Sequence, residues 1–285
     1  MDDLTIRQVI TSILDGQIRI PAFQRGFVWD SQMVAYLMDS IYKGYPFGSI
    51  LLWRTKERLK SERKLGPFEL PEAKADYPVD YILDGQQRVT SLFGVFQIEI
   101  DSGAAEDWTR IYFDYTANPD VQESQFVALP DDEVDPQRHF LLRNLFDTTG
   151  YRRATKDMNE ETATKIDKLQ AVFKEARIPI QTLTTENRTT VAIVFERVNQ
   201  RGVELDTLQL LSAWAWSEEF DLQVKFAELA DELEPFGFKE VGDDKNLLLR
   251  CCAGVLANDA TITTLMGLNG AVVRERFEEV VNGIK

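Results

Sequence analysis

The pattern of apolar and polar positions predicts both helices and strands in the first half of the chain. Apolar residues recur on one helix face from residue 6 to residue 14, with Asp3 as the expected N-cap. A second helix is expected after its cap Ser31, and a third over Val89–Phe96. Short apolar or alternating runs predict strands at 17–20, Ser49–Trp53, Tyr77–Leu83, Arg110–Tyr115 and Gln125–Leu129.

The second half of the chain has helical periodicity from about residue 159. The predicted helices are Glu160–Ala176, Asn187–Val198, Asp206–Glu219, Leu222–Glu234 and Asp243–Ala257. This change of pattern predicts an α+β fold. We expect a mixed N-terminal domain over residues 1–150 and a mostly α-helical domain over residues 151–285, with a ligand pocket between them.

Composition excludes several classes of protein. With 285 residues, 44% of them hydrophobic and 28% charged, the chain is typical of a globular protein and not of a disordered one. Its N-terminus lacks the features of a signal peptide, and no apolar run reaches the roughly 20 residues of a membrane-spanning helix. The neighbouring Cys251 and Cys252 indicate a reduced core, so we expect a cytoplasmic protein that has no membrane partner.

The formal charge of −15 argues against a stand-alone clamp for duplex DNA, because non-specific binding depends on neutralising phosphates. A local positive excess lies at Arg54, Lys56, Arg58 and Lys60. A solvated loop accounts for this stretch, and contact with DNA is the weaker alternative.

The segment Asp84-Gly85-Gln86-Gln87-Arg88 is the first candidate for chemistry, since it lies between a predicted buried strand and a helix. A helix start offers unpaired N–H groups and a dipole that favour an anion, and Arg88 adds a charged fork suited to phosphate. The glutamines can position water or a phosphate oxygen. Asp84 has three open roles: a magnesium ligand, a partner that orients Arg88, or the helix cap. A capped helix with ordinary polar residues explains the same spacing.

Two further segments carry polar groups next to turns. Gln24 and Arg25 lie in an aromatic-rich segment after a strand, where Arg25 and Arg88 could share a ligand or Arg25 could form a structural ion pair. Asn199 and Gly202 lie between two predicted helices, where they could close over a ligand or simply form an interhelical turn. The only histidine, His139, cannot by itself build a histidine-rich zinc site or an HNH-type nuclease centre.

In combination these segments resemble the N-terminal domain family of GmrSD-type modification-dependent restriction proteins, which also occurs in SspE-type phage-defence proteins. Four segments carry the resemblance, in the family's order: IPAFQRGFVW, SIYKGYPFGSILLW, YILDGQQRVTSLF and FERVNQRGVELDTLQLL. They span about residues 4–215. Many members of that family continue into an HNH-type nuclease domain, and we expect none within this sequence.

The resemblance implies a ParB/sulfiredoxin-like core and a nucleotide-binding, NTP-hydrolysing, GTPase-like module that uses Mg²⁺ in bacterial antiviral defence. Its active-site motif falls on Asp84, Gly85, Gln86, Gln87 and Arg88. Further nucleotide contacts fall on Gln24, Arg25, Asn199 and Gly202. The expected partners are a nucleoside triphosphate and DNA, the latter reached directly or through a nuclease, and a homo-oligomer is compatible with the sequence. The alternatives are a direct DNA-binding or DNA-nicking domain and a purely structural partner-binding subunit.

Overall fold

The structure is a computed structural model that describes residues 2–24, 26–57, 59, 61–62, 64–71, 78–100, 106–118, 124–199, 207–217 and 219–285. Strands and helices are mixed within these residues, which confirms the α+β prediction. The strands are β1 (Asp2–Thr5), β2 (Ile18–Pro21), β3 (Ile50–Thr55), β4 (Ser61–Glu62), β5 (Lys64–Leu65), β6 (Phe68–Glu69), β7 (Val79–Asp84), β8 (Ile111–Asp114), β9 (Phe126–Ala128), β10 (His139–Leu141) and β11 (Arg177–Leu183).

The helices make up most of the second half of the chain, as expected. They are α1 (Ile6–Leu14), α2 (Ser31–Tyr42), α3 (Gln86–Phe96), α4 (Thr148–Thr155), α5 (Glu160–Glu175), α6 (Arg188–Asn199), α7 (Thr207–Ala215), α8 (Leu222–Leu233), α9 (Lys239–Asp243), α10 (Lys245–Ala257), α11 (Ile262–Met266), α12 (Gly270–Glu275) and α13 (Phe277–Ile284). In the part of the chain that is described, none of these helices is long and apolar enough to cross a membrane.

The chain divides into two compact units. The first contains Met1–Arg19, Gly26–Leu52 and Arg63–Thr182, and the second contains Ile20–Arg25, Trp53–Glu62 and Leu183–Lys285. Residues 151–182 therefore belong to the same compact unit as most of the N-terminal half. The domain boundary expected near residue 150 stays a prediction.

The first unit is built on a sheet with the strand order β1-β11-β3-β7-β2. Strands β1 and β11 pair antiparallel, whereas β2 and β7 pair parallel, with Ile18 opposite Asp80. A smaller sheet has the order β10-β8-β9, and β5 and β6 form a separate antiparallel pair. In the second unit, β4 pairs antiparallel with the end of β2.

Helix α3 is a central element of the first unit because it is apolar on almost every side. Its residues from Val89 to Phe96 are all buried, and Phe96 packs against Phe146 and Phe173 at centroid distances of 5.1 and 5.2 Å. Burial around the whole circumference is typical of a core helix. The start of α3 is therefore held in place by the packing of the helix behind it.

Two predicted N-caps are wrong by one or two residues. Helix α1 is capped by Thr5, whose side chain accepts from the Gln8 N–H while the Gln8 side chain accepts from Thr5 N, and not by Asp3. Helix α2 is capped by Asp30, which accepts from Met33 N, and not by Ser31. Each true cap has a side-chain oxygen within reach of the third helical N–H, a geometry that composition alone does not identify.

The helical part of the second unit has a core of its own. Buried residues from α7, α8, α10, α11, α12 and α13 form one cluster that includes Leu211, Phe226, Leu249, Cys252 and Phe277. Burial raises the pKa of the Cys252 thiol to about 12, so this thiol stays protonated at neutral pH. Cys252 is therefore a packing residue rather than a nucleophile.

Asp114, at the end of β8, is a buried carboxylate with a full set of partners. Its side chain is only 4% exposed, and it accepts from Arg138 Nε at 2.8 Å and from Thr116 Oγ1 at 2.7 Å. Burial raises the pKa of this carboxyl. The hydrogen bonds from Arg138 and Thr116 together lower it by more than burial raises it, so the pKa falls to about 2. The charged form of Asp114 therefore stabilises the small sheet.

We predict that Asp114→Asn lowers the free energy of unfolding at pH 7, with a pH-dependent part of about 2 kcal/mol. Because the folded pKa lies below the unfolded value of 3.8, the stabilisation is fully present above that value. It is lost as the pH falls from about 4 towards 2. Urea unfolding of both proteins between pH 2 and pH 7 measures the difference.

The matched control is Asp131→Asn, because Asp131 pairs with Arg110 while its side chain is 78% exposed. We expect a much smaller loss from this variant, since solvent screens an exposed pair. A difference between the wild type and Asp114→Asn that does not change with pH would contradict the assignment.

Candidate functional site

The segment predicted to carry chemistry joins the end of β7 to the start of α3. Strand β7 ends at Asp84, and Gly85 is the N-cap of α3 in the left-handed conformation, with φ +90°. No side chain caps this helix. The N–H groups of its first turn therefore point out of the helix without a side-chain acceptor, which is the arrangement that favours an anion.

Arg88 is held by three acceptors on two neighbouring segments. Its Nη2 donates to Ser49 O at 2.8 Å and to Asp84 Oδ2 at 2.9 Å, and its Nη1 donates to Phe47 O at 3.3 Å. Of the three roles left open for Asp84, the geometry favours the one in which it orients Arg88. Most of the guanidinium's Nη donors are used inside the protein, so the predicted role of Arg88 as a phosphate anchor rests on the donors that remain.

Two glycines make room for this guanidinium. Gly48 has φ +88°, and a Cβ added there would lie 2.4 Å from Arg88 Nη1. A Cβ on Gly85 would lie 3.2 Å from Arg88 Nη2 and from the Cα of Ile50. Both positions need glycine for the backbone conformation and for the close approach of the side chain. Gly48 was missed in the sequence because its partner, Arg88, lies 40 residues away.

Gln87 differs from its neighbours because its side chain forms hydrogen bonds with the aromatic loop of residues 26–30. Its Oε1 accepts from Val28 N at 2.9 Å and from Trp29 N at 3.3 Å, and its Nε2 donates to Gly26 O at 3.1 Å. The Phe27 ring in the same loop lies 4.2 Å from the Trp108 ring, measured between centroids. Gln87 therefore acts on the backbone of this loop, and its predicted catalytic role stays a prediction.

Two polar atoms at the start of α3 are buried without a partner in the described part of the chain: Gln86 Oε1 and Arg88 Nε. A buried polar atom that makes no hydrogen bond costs about 1–3 kcal/mol. Such atoms are rare in folded proteins and call for an explanation. A bound ligand or water that bridges to these atoms would supply it.

Of the remaining predicted site residues, the structure describes four, all of them in the second unit. Gln24 lies in the turn after β2, with its N–H donating to Pro21 O, and Asn199 is the last residue of α6. Arg54 and Lys56 are exposed at the end of β3 and just after it. Arg25, Arg58, Lys60 and Gly202 lie outside the described residues.

A protein-only metal cage is absent from the residues that the structure describes, since no group of three or more Asp, Glu, His or Cys side chains is arranged to hold an ion. Asp84 directly precedes the N-cap of α3, and its side chain is 38% exposed. Only one of its two oxygens contacts Arg88. The other oxygen is therefore available to a cation that brings its own ligands.

Comparison with known proteins identifies a matching family and one similar protein. The family model described as "GmrSD restriction endonuclease, N-terminal domain" matches residues 6–216. The chain is also 22% identical, over 271 residues, to the "Uncharacterized protein MJ0686" of Methanocaldococcus jannaschii. That alignment covers 82% of this chain and 46% of the relative, so the chain spans about half the length of that protein.

We predict that Gly48→Ala destabilises the protein more than Gly44→Ala does. Both glycines have positive φ, +88° and +68°, but a Cβ on Gly44 would meet no atom within 4 Å. Each variant carries the cost of left-handed backbone, about 1–2 kcal/mol. Gly48→Ala also displaces the Arg88 guanidinium from its carbonyl acceptors, which adds about 1–3 kcal/mol. Chemical unfolding of the two variants measures the difference, and equal losses would show that the contact with Arg88 is unimportant.

Proposed function

The chain belongs to the family of GmrSD restriction endonuclease N-terminal domains, and we propose that it is the nucleotide-binding and NTP-hydrolysing module of such a restriction system. One observation carries the proposal: Gln86 Oε1 and Arg88 Nε are buried without partners at an uncapped helix start. A triphosphate and its attacking water together have the donors and acceptors that these atoms lack.

In the proposed complex, phosphate oxygens accept from the first N–H groups of α3 and lie at the positive end of its dipole. Arg88 contributes a permanent positive charge held in place by Phe47, Ser49 and Asp84. Gln86 Oε1 accepts a hydrogen bond from water and aims it at the terminal phosphate. Catalysis of this kind works by positioning and by stabilising charge, and it needs no covalent nucleophile.

Magnesium fits this arrangement as a partner of the nucleotide. Mg²⁺ usually keeps several waters and takes one or two carboxylates together with phosphate oxygens, so a site with three protein ligands is not required. The Asp84 oxygen that does not contact Arg88 is the proposed protein ligand. When bound, the ion would neutralise charge on the phosphates.

The charge of the chain favours a nucleotide-dependent regulator over a direct DNA clamp. A formal charge of −15 repels a long polyanion over the whole surface, whereas a single nucleotide interacts only with the local field of its site. We therefore propose that the module gates a DNA-cleaving partner or domain during defence against phage or modified DNA, and does not cut DNA itself.

We predict that Gln86→Ala lowers the NTP hydrolysis rate by about 10- to 100-fold, the cost of removing one positioning group. The folded state should be unharmed or slightly more stable, because the variant removes an unsatisfied buried oxygen. The hydrolysis rate is measured as phosphate release from each of the four common NTPs with Mg²⁺. Thermal unfolding with and without nucleotide measures stability and binding.

The matched control is Gln32→Ala, because Gln32 lies on the exposed face of α2 and donates only to Tyr36 Oη. Its hydrolysis rate should equal that of the wild type. The proposal fails if no NTP releases phosphate or shifts the unfolding temperature of the wild type. Nicking of plasmid DNA by this chain at a rate unchanged in Gln86→Ala would instead support the DNA-nicking alternative.

A further inference from the structure

The second unit contains a cavity of about 550 Å³ whose lining includes none of the residues described at the start of α3. This volume is within the roughly 300–1,000 Å³ typical of small-molecule sites. Its lining includes two indoles, two guanidiniums, two carboxylates and one amide: Trp214, Trp216, Arg188, Arg274, Glu57, Glu219 and Asn269.

The wall of the cavity is pre-formed by close packing between the end of α7 and the start of α12. A Cβ on Gly270 would lie 2.1 Å from Trp214 O, so no side chain fits between the two helices. Arg274 Nη1 donates to Ala215 O, the last carbonyl of α7, at 3.1 Å and to Trp216 O, just after the helix, at 3.3 Å. The two tryptophans are therefore held on a rigid support.

Two of the residues that line the cavity have N–H donors with no acceptor in the described structure. The Trp214 side chain belongs to a residue that is 3% exposed, and its Nε1 has no hydrogen-bond partner in the described structure. Asn269 uses its Oδ1 to cap α12 through Ala271 N, which leaves its amide N–H groups available. A ligand that matches this lining must therefore present acceptors.

The positive and negative charges of the lining residues nearly cancel. Arg188 Nε donates to both carboxylate oxygens of Glu57, at 3.0 and 2.7 Å, so their charges offset each other. The lining also contains one further residue of each sign, Arg274 and the exposed Glu219. A neutral ligand suits this cavity better than an anion.

We propose that this cavity binds a nucleobase that carries ring carbonyls, either as a nucleoside or as an unpaired base of a single strand. The half-buried Trp216 stacks on the base, because indole faces are good platforms for planar rings. The Trp214 indole N–H and the Asn269 amide donate to the carbonyl oxygens, which satisfies the donor that the protein leaves unpaired. Adenine lacks a ring carbonyl and binds more weakly.

The test titrates the 285-residue chain by calorimetry with uridine, guanosine and adenosine, and with ribose as a probe that has no base. We expect Kd for uridine and guanosine to be at least about 5-fold lower than for adenosine, with no binding of ribose. Trp216→Ala should raise Kd by about 10-fold or more through lost stacking. Trp214→Phe keeps the aromatic volume, loses the N–H, and should raise Kd by about 5- to 10-fold while the unfolding temperature stays the same or rises.

Two control variants test whether the binding belongs to this cavity. Trp29→Phe removes an indole from the aromatic loop of the first unit and should leave Kd unchanged. Gln86→Ala should also leave it unchanged, because a nucleoside has no phosphate for the start of α3, so this proposal and the proposed NTP hydrolysis fail separately.

A ten-residue oligouridylate distinguishes a base within a single strand from the base of a free nucleoside. Tighter binding of the oligonucleotide than of uridine, lost in Trp216→Ala, assigns the cavity to a single strand, whereas equal binding assigns it to a free nucleoside. The proposal is overturned if no nucleoside and no oligonucleotide binds. It is also overturned if the binding survives Trp216→Ala in a folded protein.

Discussion

The anchoring of Arg88 is the interaction on which the candidate site depends. One guanidinium joins the backbone before β3, the carboxylate at the end of β7 and the first turn of α3. Charge-assisted hydrogen bonds of this kind are stronger than neutral ones, and a planar fork fixes direction as well as distance. The absence of a Cβ at Gly48 and Gly85 leaves the room in which that fork lies inside the protein.

Three neighbouring positions of α3 have three different environments. Successive helix residues point about 100° apart, so Gln86, Gln87 and Arg88 face different parts of their surroundings. Gln87 faces the aromatic loop, Arg88 faces the segment before β3, and Gln86 keeps an oxygen without a partner. A run of similar polar residues thus separates into two that are held within the protein and one, Gln86, whose side-chain oxygen makes no hydrogen bond in the described structure.

The sequence predicted the elements that have strong periodicity and missed those that depend on distant partners. Helices α1 and α5 and the buried strands β3 and β7 follow from apolar spacing, and the position of the Asp84–Arg88 turn follows from them. Strands β1 and β11 were missed because they pair residues about 175 positions apart. Strand β1 has a single apolar residue, and the short alternation of Ile178 and Ile180 in β11 is interrupted by Pro179. The acceptors of Arg88 are mostly backbone carbonyls, which carry no signal in the sequence, so its anchoring could not be predicted from the residue types.

The hydrogen bonds between Gln87 and the aromatic loop have a consequence for which positions fix the shape of this segment. Every hydrogen bond that Gln87 makes to the loop is to a backbone atom of residues 26–29. Backbone groups are the same whatever side chain is attached, so these three hydrogen bonds do not themselves depend on the side chains of the loop. Position 87 has no such freedom, because both the oxygen and the nitrogen of its amide are used. The side chains of the loop are constrained instead by contacts of their own, such as that of Phe27 with Trp108.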